Sequence, residues 1–127
     1  MRNTVYRDFL LPVHQEIVCQ VAAPVILHCC GPTADRIGYF REAGFAAFHF
    51  ESQVPAALAV AEARGMRLAG NVNGPQTLLH GTPEQVRAEA RLAIAAGVDL
   101  IAPECAVPLP TPNRNLRAIV DECRAGP

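Results

Sequence analysis

Short apolar runs alternate with amphipathic segments along the whole sequence, and this alternation constrains the fold more than any other feature. The apolar runs have the length of buried strands, and the segments between them space their apolar residues as a one-sided helix does. Parallel strands need crossover connections of this kind, so the pattern predicts a parallel sheet in an α/β domain. The predicted strands are residues 25–30, 45–50, 66–72 and 98–103. The predicted helices are residues 6–21, 33–43, 54–64, 83–96 and 115–124.

Two threonines are predicted to begin helices. Thr82 is followed by Pro83 and, three residues on, by Gln85, which is the pattern of a capping box with proline at the first helical position. Thr33 follows the Gly31-Pro32 exit of the first strand, and it is the predicted cap of the next helix.

Four strand–helix units make half of a (β/α)8 barrel, which usually needs about 250 residues. From the pattern alone, the other architecture open to the chain is a small doubly wound sheet. No linker or low-complexity tract interrupts the 127 residues, so residues 1–127 are predicted to form a single domain.

Composition excludes several classes of function. The 11 Lys and Arg residues balance 12 Asp and Glu, so the chain has no basic footprint for nucleic acid. No apolar run approaches the roughly 18 residues of a membrane span. Residues 1–8 have no signal-peptide core, which predicts a cytoplasmic protein. Five cysteines are an odd number and a poor disulfide framework, so they are candidates for metal or redox chemistry, or small buried residues.

Polar side chains follow the predicted strands at their carboxyl ends, where sites form in both architectures. His28 and Cys30 end the first strand two residues apart and therefore share one face of it. Glu51 ends the second strand, Asn71 ends the third, and Cys105 follows the fourth. A histidine with two cysteines is a ligand set that suits zinc with one coordination position left open.

The residues alone leave two other interpretations open. A cysteine beside a histidine is also the arrangement of an activated thiolate nucleophile. Alternatively, His28 forms a hydrogen bond at the strand end and the cysteines fill space, which is the interpretation favoured for Cys19 and Cys123. His14, His49 and His80 are assigned no catalytic role, and His49 is predicted to face the helical layer.

Several motifs occur in an order that resembles a known family. They are Pro24–Gly31, Gly70–Pro75, Leu78–Glu84, Cys105–Pro108 and Thr111–Leu116. Together they resemble the C-terminal half of the uroporphyrinogen decarboxylase superfamily and, within it, the methylcobamide:coenzyme M methyltransferases.

The resemblance implies a (β/α)8 barrel with a zinc site. Carried onto this chain, the zinc ligands are His28, Cys30 and Cys105. Glu51 is implied to be either a fourth ligand, displaced by a substrate thiol, or a base for the proton of that thiol. Asn71 and Asn73 are implied to shape the pocket and bind polar parts of the substrate.

The activity that the resemblance implies is transfer of a methyl group from a methylcobamide, carried by a partner corrinoid protein, to a thiol such as coenzyme M. Two departures from the family pattern affect the substrate contacts more than the metal ligands. Ala106-Val107 follows Cys105, and Gly74-Pro75 replaces the usual acidic-Pro step.

Two alternative functions stay open. A tetrapyrrole decarboxylase of the same superfamily acts without metal, but such enzymes lack the His-x-Cys pair and have a Gly-His-Gly type turn where Cys105 lies. The chain is otherwise a non-catalytic fragment or subunit that completes another chain's barrel. Because a half barrel has two unpaired sheet edges and an uncovered interior, we expect a homodimer or a complex with a complementary N-terminal half-barrel chain.

Overall fold

A computed structural model describes residues 3–126 and contains one parallel sheet of four strands. The strands are β1 (Ile26–His28), β2 (Ala47–His49), β3 (Arg67–Val72) and β4 (Leu100–Pro103). Their order in the sheet is β1-β2-β3-β4, the same as their order in the sequence. A doubly wound sheet reverses its strand order at a switch point, whereas a (β/α)8 barrel adds each strand beside the last. The observed order therefore favours the partial barrel.

Three helices connect the strands, one helix precedes the first strand and one follows the last, all close to the predicted bounds. They are α1 (Leu11–Gln20), α2 (Ile37–Glu42), α3 (Ala56–Ala63), α4 (Pro83–Ala96) and α5 (Asn113–Ala125). A single α-helical turn and a π-helical segment precede α1, a 3₁₀ turn precedes α2, and a π-helical segment, Gly74–Leu78, follows β3. Pro12 lies in the first turn of α1, where its missing amide hydrogen is not needed. None of the helices in the described part of the chain is long and apolar enough to cross a membrane.

The two predicted caps have different outcomes. The Thr82 capping box is confirmed: the Gln85 backbone N–H donates to the Thr82 hydroxyl, and the Thr82 N–H donates to the Gln85 side chain. The prediction for Thr33 is wrong, because its side chain makes no capping bond and is fully buried. The 3₁₀ turn after it is closed by backbone instead, with the Arg36 N–H donating to the Thr33 carbonyl at 2.9 Å.

The main core lies between the sheet and its helices. The cross-strand row Leu27, Phe48 and Leu68 faces this layer, and Phe48 is fully buried. A second, smaller cluster packs α4 and α5 against the end of β3. Its members are Val72, Leu78, Val86, Ala90, Ala118 and Ile119.

The other face of the sheet, here called the inner face, has no covering layer in the described chain. Ile26 and Leu100 lie on this face, and each is 62% exposed. An open cavity of about 430 Å³ follows it and is bordered by Arg67 and Asp99, which form an ion pair. One face of the sheet is therefore packed and the other is open.

Candidate metal centre

Four side chains that can bind a metal meet at the carboxyl ends of the strands. They are His28, Cys30, Glu51 and Cys105, and one ligand atom from each lies within 4.8 Å of the others. His28 ends β1 and Cys30 follows it, whereas Glu51 and Cys105 lie in the loops after β2 and β4. The structure thus brings together the three residues predicted as zinc ligands and the predicted acidic residue beside them.

The histidine is oriented by a backbone carbonyl. His28 Nδ1 lies 3.2 Å from the carbonyl oxygen of His49, and His28 Nε2 lies 3.2 Å from Cys30 Sγ. A carbonyl oxygen only accepts hydrogen bonds, so we assign the ring proton to Nδ1. This tautomer leaves the lone pair of Nε2 directed at the cluster, as is usual for a histidine that binds a metal.

His49 itself lies on the inner face, and the prediction that it faces the helical layer is wrong. Phe48 and Phe50 occupy the buried positions on either side of it, so strand alternation directs His49 the opposite way. Its ring centroid is 4.6 Å from that of His28, and its Nε2 donates to the Pro103 carbonyl at 2.7 Å. His49 therefore joins the ends of β1, β2 and β4 beneath the cluster.

The spacing of the two thiols suits a shared ion. Cys30 Sγ and Cys105 Sγ are 3.7 Å apart. Two sulfurs on one tetrahedral zinc, each about 2.3 Å from the metal, are about 3.8 Å apart. Cys29, by contrast, packs against the main core, in agreement with the prediction that it points away from the site. The interpretation of Cys19 and Cys123 as small buried residues is wrong, because both are exposed. The donor set and the sulfur spacing therefore fit a zinc ion.

Glu51 is held against Cys30. Its Oε2 accepts a hydrogen bond from the Gly31 N–H at 2.7 Å, one residue beyond the cysteine. Hydrogen bonding to Glu51, and next to Cys105, raises the pKa of the Cys30 thiol to about 12. Without a cation, the Cys30 thiol therefore keeps its proton. A divalent ion at the same place reverses this preference and displaces the proton.

The two asparagines lie outside the four-residue cluster, and their amides bond within the fold. Asn71 Nδ2 donates to the Val54 carbonyl at 3.1 Å. The Asn73 side chain accepts from the N–H groups of Gln76 and Thr77, in the π-helical segment Gly74–Leu78, and donates to Ser52 Oγ at 3.0 Å. Their binding of substrate stays a prediction.

Sequence reasoning missed one buried group at this edge of the sheet. Glu104, between Pro103 and Cys105, is 6% exposed, and its two carboxylate oxygens accept the N–H groups of Ser52 and Gly74. The only signal in the sequence is a charged residue directly after an apolar strand. Its partners lie 52 and 30 residues away, which no local pattern predicts.

Comparison with known proteins decides the family. The family model for uroporphyrinogen decarboxylase (URO-D) matches residues 1–126. The chain belongs to the uroporphyrinogen decarboxylase family. Among curated relatives, a methylated-thiol–coenzyme M methyltransferase of Methanosarcina mazei is 32% identical over 122 residues, which are 96% of this chain and 33% of the relative. A methylcobamide:CoM methyltransferase, MtaA, of Methanosarcina barkeri is 31% identical over 94% of this chain and 36% of its own length.

Solved structures agree on the fold. A methyltransferase from Methanosarcina mazei superposes with a TM-score of 0.93 and 30% identity, over 98% of this chain and 38% of that one. The chain therefore spans about a third of the length of the family members that it matches. The prediction of a partial (β/α)8 barrel of the uroporphyrinogen decarboxylase family is confirmed.

Proposed function

We propose that this chain carries the zinc site of an enzyme that transfers a methyl group from a methylated corrinoid protein to a thiol. The observation that carries the proposal is the convergence of His28, Cys30, Glu51 and Cys105 from three strand ends onto one point. The names of the related methyltransferases support the substrate classes: one names a methylated thiol and coenzyme M, and the other names methylcobamide and coenzyme M.

The ligand set supports zinc in particular. Imidazole nitrogen and thiolate sulfur are preferred zinc ligands, and three protein ligands leave a fourth position for water or substrate. His28, Cys30 and Cys105 supply that set, and Glu51 is the fourth group in reach. When bound, zinc ionises a coordinated thiol at neutral pH and so supplies the nucleophile.

The residues of the chain hold and orient the reacting groups. The His49 carbonyl fixes the His28 ring, and the Gly31 N–H fixes the Glu51 carboxylate. We assign Glu51 to the place that the acceptor thiol takes, either as a ligand that the thiol displaces or as the base that receives its proton. The reaction exchanges a corrinoid–methyl bond for a sulfur–methyl bond, and the corrinoid protein approaches the carboxyl-end edge of the sheet.

A barrel partner completes the site. The inner face exposes Ile26 and Leu100, and the chain spans only a third of its relatives. We propose that a complementary chain with the rest of the barrel covers this face, and that a second copy covers it when the chain is alone. Burial of apolar area at about 25 cal/mol per Å² supplies the driving force.

Metal analysis tests the proposal directly. Protein purified without chelators is expected to contain about one zinc per chain by elemental mass spectrometry. Cys105→Ser is expected to weaken zinc binding at least about 100-fold, because it removes a ligand rather than an outer partner. Cys123→Ser is the matched control, since Cys123 is exposed on α5, and it should bind zinc like the wild type.

Methyl transfer is then assayed with free methylcobalamin and coenzyme M, for the chain alone and with its barrel partner. Loss of transfer in Cys105→Ser but not in Cys123→Ser supports the proposal. A wild-type protein without zinc contradicts it. Binding of a porphyrinogen that is unaffected by His28→Ala points instead to a metal-independent tetrapyrrole enzyme, and zinc binding without transfer in the assembled barrel points to a non-catalytic subunit.

A further inference from the structure

Glu104 is a buried carboxylate directly before a metal-binding cysteine. It is 6% exposed, its Oε2 accepts the Ser52 N–H at 2.8 Å, and its Oε1 accepts the Gly74 N–H at 2.9 Å. A buried charge is costly unless it is paired or hydrogen-bonded. The ion pairs found in residues 3–126 do not include Glu104, so backbone N–H groups stabilise the charge.

The two bonds join three separate loops. Ser52 directly follows Glu51 in the loop after β2, and Gly74 opens the π-helical segment after β3. The backbone of Glu104 adds a third tie, because its N–H donates to the Val72 carbonyl at 2.9 Å. Residue 105 is therefore fixed relative to residue 51 through a single side chain.

The negative charge of Glu104 also favours a cation at the cluster. The cluster contains two thiols and one carboxylate, and Glu104 places another negative charge one residue from the Cys105 ligand. At the low effective dielectric of a buried position, nearby negative charge favours a cation at the site. A hydrogen-bonded outer group of this kind orients the ligand that it supports.

We propose that Glu104 is the positioning residue of this metal centre: its buried carboxylate ties the loops after β2 and β3 to the Cys105 loop and so holds the Cys105 thiol in reach of the ion. The inference rests on the proposed zinc site and concerns how the chain builds it. Glu104 is not one of the four candidate ligands.

Glu104→Gln is the decisive variant, because it keeps the volume but replaces one acceptor oxygen with a donor. One of the two backbone N–H groups then faces an NH₂ group. Glu89→Gln is the matched control. Glu89 lies on α4, and its Oε2 accepts the N–H of Asn73, the residue directly before Gly74, at 2.8 Å. Glu104→Asp keeps the charge and shortens the reach, and it decides the question if the glutamine variant does not fold.

The readouts are zinc affinity, by competition with a chromophoric chelator, and alkylation of each cysteine at saturating zinc, by mass spectrometry. We expect zinc affinity to fall about 10- to 100-fold in Glu104→Gln and by an intermediate factor in Glu104→Asp. Glu89→Gln should stay within about threefold of the wild type. Alkylation of Cys105 should rise about tenfold in Glu104→Gln while Cys30 stays protected, because only the Cys105 loop is released.

Three results overturn the inference. If Glu104→Gln and Glu89→Gln lose equal zinc affinity, Glu104 has only a general structural role. If the zinc affinity of Glu104→Gln is unchanged, Glu104 does not position the site. Equal exposure of Cys30 and Cys105 to alkylation shows that the cluster loosens as a whole. Failure of the proposed function gives a different result from failure of this inference, because the wild-type chain itself then binds no zinc.

Discussion

The two faces of the sheet contain the same kind of residue in opposite surroundings. Leu68, in β3, is 2% exposed under the helices, whereas Leu100, in the adjacent strand, is 62% exposed on the inner face. Strand formation and burial are therefore separate properties here. Hydrophobic sequence and crossover topology form the strands, but a face is buried only where another element covers it.

The largest expected effect comes from truncating this matched pair. Leu68→Ala is expected to lower the free energy of unfolding by about 2–5 kcal/mol, because it leaves a cavity in the main core. Leu100→Ala is expected to change it by less than about 0.5 kcal/mol, because it removes exposed surface. Urea unfolding at low protein concentration measures both values. Equal losses would show that both faces are buried in solution and would remove the contrast.

A charge on the inner face tests what covers it. Leu100→Asp is expected to weaken self-association at least tenfold, about 1.4 kcal/mol, because a carboxylate is then buried against an apolar surface. Sedimentation equilibrium measures the change. Leu92→Asp is the matched control: Leu92 is 70% exposed on α4, in the helical layer, and its replacement should leave association unchanged. A larger effect at Leu92 would place the interface on the helices instead.

The smallest effect concerns the border of the open face, where Asp99 accepts the Leu68 N–H at 2.9 Å and pairs with Arg67. The Leu68 N–H, and next the Arg67 guanidinium, hold the pKa of Asp99 below its usual range. A lowered pKa means that the stabilisation is complete above the unfolded pKa of about 3.9 and is lost as the pH falls through the folded value.

Asp99→Asn should therefore lower the free energy of unfolding by about 0.5–1 kcal/mol at pH 7, since the pair is partly screened by solvent. The difference between the variant and the wild type should narrow below about pH 4. Unfolding curves at a series of pH values measure it. A difference that stays constant from pH 7 to pH 2 would show that ionisation of Asp99 does not contribute.

Local patterns predicted the parts of this molecule that depend on neighbours in sequence. The capping box at Thr82 needs only residues three positions apart, and the shared face of His28 and Cys30 needs only strand alternation. The addition of Cys105 depended on topology and on the family resemblance, because 75 residues separate it from Cys30.

The parts that were missed depend on distant backbone. Nothing near Glu104 in the sequence shows that it accepts N–H groups from two other loops, and nothing near Thr33 shows that its hydroxyl is buried. For His49, the sequence correctly predicted that its side chain lies on the opposite face of the strand from Phe48 and Phe50. It did not predict which of the two faces the helices cover.

The four candidate ligands all come from one uninterrupted stretch, residues 28–105, within roughly the third of the family barrel that this chain spans. Under the proposed function, ion capture and closure of the barrel are separable steps, because the candidate ligands lie together in the segment that this chain spans. The proposed ion binding can therefore be tested on this segment alone, apart from the remainder of the family barrel.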